Sequence, residues 1–123
     1  MHQQIEVQVK VQFLAEQSKP DDKQYVFAYT IRIHNTGDEA AQLISRHWII
    51  HDEKGAKQEV QGLGVIGEQP RLEAGESYTY TSGVVLETPT GTMEGSYQMV
   101  RDTGDTFDAE IPVFALVQPQ ALH

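Results

Sequence analysis

The segment from residue 5 to residue 15 alternates apolar and polar side chains, and this pattern constrains the fold more than any other feature. Every odd position in the segment is apolar, and every even position except Leu14 is polar. Successive side chains of a β-strand point to opposite faces, so a period of two indicates a strand with one face on a core. We therefore predict a long, half-buried first strand.

Shorter segments of similar pattern follow along the chain, separated by turn-forming sequences such as Asn35-Thr36-Gly37-Asp38. No stretch shows a helical periodicity of useful length. We predict further strands at residues 25–33, 42–52, 57–61, 78–84, 95–101 and 106–116. Many short strands without helices indicate an all-β, antiparallel sandwich or barrel.

Two details favour an immunoglobulin-like or fibronectin type III-like antiparallel β-sandwich. Trp48 lies on the third predicted strand, where such folds place their central aromatic residue, and Gly95-Ser96-Tyr97 resembles a tyrosine corner, whose hydroxyl binds upstream backbone. We expect a single domain over residues 1–123, with an ordered core at about 4–117 and a short C-terminal tail.

Charge and composition exclude several classes of function. The net charge is −9, and residues 61–123 hold only Arg71 and Arg101 against nine acidic side chains. This field repels phosphate backbones, so we predict no nucleic-acid partner. No apolar stretch approaches the roughly 18 residues of a membrane helix, so we predict no membrane insertion. The absence of cysteine excludes disulfides and thiolate chemistry and agrees with a cytoplasmic location.

Gly62, Gly64 and Gly67 form a GxGxxG pattern, which in dinucleotide-binding folds leads into a helix that meets pyrophosphate. Here Pro70 follows closely and prevents such a helix, so we interpret the segment mainly as a glycine-rich loop between strands. The alternative is a site for nucleotide or pyrophosphate formed by backbone N–H groups and Arg71.

His47 and His51 have the HxxxH spacing, which aligns two metal ligands on a helix. On a strand the two Cα atoms lie about 13 Å apart, too far for one ion. One histidine could still combine with carboxylates of a neighbouring strand, so a direct divalent-metal sensor stays an alternative. We assign no metal ligands and no cofactor, and expect only weak attraction of divalent cations by the acidic half.

The third predicted strand has apolar residues on both faces. Leu43, His47 and Ile49 lie opposite the face that contains Trp48, and we predict that they form a surface for another protein or a second copy of the chain. Adding a strand at an exposed sheet edge is a second mode of binding. No GxSxG, HExxH or Walker motif occurs, so we predict that the protein is not an enzyme.

Three stretches, at residues 45–52, 60–70 and 80–97, closely resemble the bacterial ApaG family, also called CorD, and the resemblance spans essentially the whole chain. The resemblance implies a fibronectin type III-like sandwich and an association with cobalt tolerance and magnesium efflux. Similar domains in eukaryotic F-box proteins and in a polymerase delta-interacting protein look like protein-interaction modules, and no catalytic residues are established for the family. Without a membrane span, a role in efflux would be indirect.

Overall fold

The computed structural model describes residues 4–119, which form an all-β sandwich of two antiparallel sheets. The strands are β1 (Ile5–Phe13), β2 (Tyr25–Asn35), β3 (Ala41–Asp52), β4 (Lys57–Leu63), β5 (Arg71–Leu72), β6 (Ser77–Leu86), β7 (Thr90–Arg101) and β8 (Thr106–Val117). Two short 3₁₀ turns, Ala15–Gln17 and Pro20–Asp22, connect β1 to β2. One sheet has the order β1-β2-β6, and the other has the order β4-β3-β7-β8, with β5 paired to β3.

This architecture confirms the predicted fold class. Each predicted strand has a counterpart, although β7 begins at Thr90 rather than at residue 95. The two-residue strand β5 was not predicted, because so short a segment has no readable period. Most of the predicted C-terminal tail, residues 120–123, lies outside the described residues.

The core lies between the sheets and is centred on Trp48, as predicted. Its buried indole is surrounded by the rings of Tyr29, Tyr97 and Phe114, with centroid distances of 5.4, 6.4 and 6.0 Å. Tyr29 comes from the first sheet and the other two from the second. These contacts join the sheets, and the perpendicular ring arrangements suit the charge distribution of aromatic rings.

The tyrosine corner predicted at Tyr97 is wrong in one respect. The Tyr97 hydroxyl shares a hydrogen bond of 2.5 Å with the hydroxyl of Tyr80 on β6, rather than with upstream backbone. Both side chains are buried, and burial raises the pKa of each hydroxyl. The bond therefore links the two sheets through the core.

Leu43 does not lie on the outer surface with His47 and Ile49, so that part of the predicted interaction surface is wrong. The register of β3 against β7 shifts between Leu43 and Ser45, which places one extra residue, Ile44, in β3. Such a bulge reverses the faces of the alternating side chains on one side of it. Leu43 is consequently 1% exposed and belongs to the core.

The two sides of the sandwich differ. On one side β1 and β8 lie against each other. On the other side, β4 and β6 each pair with only one strand among residues 4–119. This second side leaves the edges of both sheets open.

Candidate functional site

The glycine-rich segment after β4 forms a tight hairpin turn. The backbone groups of Val65 and Glu68 exchange two hydrogen bonds, of 2.8 and 2.9 Å. Ile66 and Gly67 form the tip, with φ angles of 44° and 82°. Two successive residues at positive φ are typical of two-residue hairpin turns. The segment is therefore a turn between strands, which agrees with the glycine-rich loop predicted from the sequence.

Packing within the chain explains two of the three glycines. Gly64 has a φ of 64°, and a Cβ atom there would lie 2.4 Å from the carbonyl oxygen of Glu68. A Cβ on Gly62 would come within 2.9 Å of the Arg46 guanidinium. Gly64 therefore requires glycine because of neighbouring backbone, whereas a side chain at Gly62 would have to displace the Arg46 guanidinium; neither explanation involves a ligand.

Arg46 fixes the start of the hairpin to β3. One guanidinium nitrogen, Nη1, donates hydrogen bonds to the carbonyl oxygens of Leu63 and Gly64, at 3.0 and 2.8 Å. Sequence reasoning gave Arg46 no role. The sequence of β3 gives no clear signal for this role, since Arg46 lies between the polar residues Ser45 and His47, and the glycine beside it is 16 residues away.

The backbone of the hairpin offers little to an anion. The N–H of Gly64 donates to the carbonyl of Ile44 at 2.8 Å, and the N–H groups of Val65 and Glu68 are used inside the turn. A phosphate cradle instead needs several convergent N–H groups without protein partners. The arrangement does not favour the nucleotide alternative.

Arg71, the side chain proposed to assist in anion binding, is engaged elsewhere. Its Nε donates to Asp102 at 3.0 Å, and its guanidinium also contacts Glu73. The Asp102 and Glu73 carboxylates raise the pKa of Arg71, and the hydrogen bond from Arg71 lowers the pKa of Asp102. The charge of Arg71 is thus largely compensated.

Two large apolar side chains on the hairpin point into solvent. Leu63 is 74% exposed and Ile66 is 58% exposed. Ile66 is also unusual in its backbone, because a β-branched residue at positive φ is a rare and strained arrangement. Strain of this kind often accompanies a functional role. We call Leu63 and Ile66 the hairpin pair.

His47 lies on the outer face of β3 beside β4. Its Nε2 atom lies 2.8 Å from a carboxylate oxygen of Glu59, whose other oxygen lies 3.1 Å from the Lys57 ammonium. The hydrogen bond from His47, assisted by Lys57, lowers the pKa of Glu59. Residues 4–119 contain no group of three or more histidine and acidic side chains arranged to hold a metal.

Ile49 shares a shallow depression with His47 on this outer face. The depression has a volume of about 430 Å³ and also contains Glu94, Glu110 and Val113. His47 and Ile49 therefore lie together as predicted, without Leu43.

The open side of the sandwich contains a groove of about 520 Å³ between β4 and β6, lined by apolar side chains together with Arg46, Gln58 and Ser82, which we call the β4–β6 groove. Trp48, Tyr29 and Met93 lie on its inner side, and Val60 and Val84 come from the two edge strands. Arg46 also lines it, so the groove and the hairpin share one residue.

Among the helices within residues 4–119, none has the length and apolar content needed to cross a membrane.

Two antiparallel sheets packed around Trp48 make this chain a small β-sandwich domain of the immunoglobulin-like or fibronectin type III-like kind. The chain belongs to the ApaG domain family, whose model matches residues 15–101.

Several relatives support this assignment over nearly the full length. Protein ApaG of Thiobacillus denitrificans is 59% identical over 120 residues, which cover 98% of this chain and 94% of the relative. Protein ApaG of Pseudomonas aeruginosa is 54% identical, with 98% and 95% covered. The crystal structure of an ApaA protein from Bordetella pertussis has a TM-score of 0.91 at 52% identity and covers 94% of each chain. An X-ray structure of a structural genomics target has a TM-score of 0.92 at 49% identity, with 98% of this chain and 91% of that chain covered.

Proposed function

We propose that this protein acts by binding another protein and catalyses no reaction of its own. The observation that carries the proposal is the hairpin pair, Leu63 and Ile66, which presents two exposed apolar side chains. Arg46 and the turn hydrogen bonds hold the pair in place, so little conformational entropy is lost when a partner binds. Exposed apolar residues that are rigidly presented are a recurrent feature of interaction sites.

The ionisable groups also support a binding role rather than catalysis. The large pKa shifts of buried groups belong to Tyr80 and Tyr97, and burial raises both, away from neutral pH. A general base at neutral pH needs the opposite shift for a tyrosine. The two hydroxyls bind each other, which fits a structural role.

The ApaG resemblance suggests the process that this binding serves. We propose that the protein acts in the cytoplasm and contributes indirectly to Co²⁺ and Mg²⁺ efflux and cobalt tolerance. Its effect would pass through the protein partner, since the chain is not proposed to move ions itself.

Affinity capture from cell lysate tests the binding role. The wild-type protein is compared with a double variant, Leu63→Ser and Ile66→Asn, and with Val113→Ser as a matched control. Val113 is 60% exposed and lies on β8, at the opposite edge of the sheet from β4 and in the depression that contains His47 and Ile49, so it separates the hairpin pair from that predicted surface. We expect the wild type and the control to retain the same proteins and the double variant to lose them. Equal retention by the double variant would contradict the role of the hairpin pair.

An NMR titration with ADP, pyrophosphate and Co²⁺ tests the two alternatives. Because the N–H groups of Gly64, Val65 and Glu68 already have protein partners, we expect millimolar ADP or pyrophosphate to leave the amides of Gly62, Gly64, Gly67 and Arg71 unmoved. Saturable shifts there would instead support nucleotide binding. Saturable Co²⁺ shifts at His47 that disappear in His47→Ala would support the metal sensor.

A further inference from the structure

Strand β6 has an unusual composition for a strand at the edge of a sheet. Its ten residues, SYTYTSGVVL, include no charged side chain and no proline. In the described part of the chain it pairs only with β2, so its other edge is open. An uncharged edge strand rich in β-branched and aromatic residues is a template for pairing with another strand.

The other peripheral strands carry the features that usually prevent such pairing. Lys57 and Glu59 lie on the edge strand β4, and β8 contains Asp108, Glu110 and Pro112. Charges and proline at sheet edges oppose unwanted strand addition. Strand β1 likewise includes two charged residues. The open edge of β6 is therefore the exception in a chain of which 22% is charged.

The register shows which backbone groups of β6 face outward. Asn35 donates its N–H to the carbonyl of Glu76 at 2.9 Å, next to the paired residues His34 and Ser77. Paired and outward groups alternate along an antiparallel strand. The N–H and C=O groups of five residues therefore point to the open edge: Ser77, Thr79, Thr81, Gly83 and Val85.

The β4–β6 groove lies directly beside this edge. A strand added to β6 would place alternate side chains beside the half-buried Val60 and Val84, with Trp48 and Met93 beneath them at the base of the groove. Its volume of about 520 Å³ is enough for a few apolar side chains. The edge would provide hydrogen bonds, and the groove would select apolar residues at every second position.

The charges around β6 indicate what kind of segment would bind. Glu76 and Glu87 immediately flank the strand. At the Glu87 end, Asp22 and Asp52 also line the surface, together with Lys23 and Lys57, so carboxylates outnumber ammonium groups there. The chain as a whole has a net charge of −9. This field attracts basic residues at either end of a bound segment.

A second copy of the chain is a poorer occupant. A second copy has the same net charge of −9 and the same acidic residues, Glu76 and Glu87, beside β6, so it lacks the basic flanks that this surface attracts.

We propose that β6 binds an extended segment of another protein by strand addition, and that this segment has an uncharged centre with alternating apolar residues and Lys or Arg flanks. The inference rests on the proposed protein-binding function and adds a surface and a partner chemistry to it. Its contacts do not require Leu63 or Ile66.

Two synthetic peptides provide the test. The probe is Lys-Lys-Thr-Val-Thr-Val-Thr-Val-Lys-Lys, and the matched peptide replaces each Lys by Glu. Binding to the full chain is followed by NMR shifts and by amide hydrogen exchange. We expect the basic peptide to slow the exchange of the outward amides of Thr79, Thr81 and Gly83, and the acidic peptide to bind at least about tenfold more weakly, with a difference that shrinks as salt is added.

Variants of the edge show whether backbone pairing is responsible. Thr79→Pro removes an outward N–H without removing a hydrogen bond to β2, and Thr79→Val keeps that N–H. We expect the proline variant to lose at least about tenfold in affinity and the valine variant to bind like wild type. Val85→Lys keeps the backbone N–H groups and adds a charge that repels the basic peptide, so we expect this variant to bind the peptide more weakly. This variant tests the proposal even if Thr79→Pro does not fold.

Three results would overturn the proposal: no protection of β6 amides at millimolar basic peptide, unchanged binding by both Thr79→Pro and Val85→Lys, or protection confined to β4 or β8. A concentration-dependent dimer that protects the β6 edge without peptide would also overturn it, by making a second copy the occupant. The lysate capture with the hairpin variant is independent of the peptides, so the two experiments separate a failure of this inference from a failure of the proposed function.

Discussion

The buried hydroxyl pair of Tyr80 and Tyr97 makes a sharp prediction about stability. Each hydroxyl is the partner of the other at 2.5 Å, and the described residues contain no buried side-chain polar atom without a partner. Tyr97→Phe alone leaves the Tyr80 hydroxyl buried and unpaired, and Tyr80→Phe does the reverse. Each single change is expected to lower the free energy of unfolding by about 1–3 kcal/mol.

The double variant should behave differently from the sum of the single variants. Phenylalanine at both positions preserves the shape of the core and leaves no hydroxyl to satisfy, so we expect a stability within about 1 kcal/mol of wild type. The two single losses sum to about 2–6 kcal/mol, and the coupling energy has this same magnitude if the double variant matches wild type. Urea denaturation followed by tryptophan fluorescence measures all four proteins, since Trp48 lies in the same core.

Tyr78→Phe is the matched control for this cycle. Tyr78 neighbours Tyr80 on β6 but is only half buried, and its change should alter stability by less than about 0.5 kcal/mol. Single variants as stable as wild type would refute the argument that the hydrogen bond compensates for burial. A double variant that loses the full sum of the single effects would refute the pairing itself.

The same pair predicts how stability changes in alkali. Burial raises the pKa of both hydroxyls above the ordinary value of 10, so the folded state holds these protons more tightly than the unfolded state. Stability from this source is complete below pH 10 and falls as pH rises above 10, because only the unfolded chain ionises readily. Wild type should lose up to about 1.4 kcal/mol per hydroxyl per pH unit more than the double phenylalanine variant. Equal losses at pH 11 would contradict this reasoning.

Two further predictions concern the hairpin and the bulge. Gly64→Ala should lower the free energy of unfolding by about 1–3 kcal/mol, which is more than the loss for Gly67→Ala. Both residues have positive φ, but only at Gly64 would a Cβ atom press against backbone. Thermal denaturation of the two variants measures the difference. Leu43→Ala should lower the free energy of unfolding by about 2–5 kcal/mol and Ile49→Ala by clearly less, since only Leu43 is in the core. Similar losses of the two variants in urea denaturation would show that the assignment of faces around the bulge is wrong.

Much of the fold could be predicted because strands produce a local alternation of apolar and polar side chains in the sequence. Alternation identified β1 and β2 and the face of each that is buried, and Trp48 was correctly placed at the centre of the core. Where the alternation was interrupted, the prediction failed. The bulge at Ile44 depends on how β3 pairs with β7, which the sequence of β3 does not reveal.

The candidate sites were less predictable because they depend on contacts between distant residues. Arg46 and Gly62 meet only through the pairing of β3 with β4, and Arg71 meets Asp102 across 31 residues of chain. The glycine pattern was interpreted correctly as a turn, yet its exposed hairpin pair was not foreseen. Leu63 is exposed because it lies on the same outer face of β4 as Glu59 and Gln61, and Ile66 is exposed at the tip of the turn.

By itself, the sequence determined that this chain is an acidic, all-β protein whose strands alternate apolar and polar side chains, and its motifs indicated the ApaG family. Side-chain periodicity, charge and turn chemistry are local properties that each segment carries alone. Only the tertiary structure decided which strands lie at the sheet edges. It thereby showed that the uncharged strand β6 has an edge open to pairing with another strand. It also brought Tyr80 to Tyr97 and opened the groove over Trp48, because strand order and register are set by packing of the whole chain.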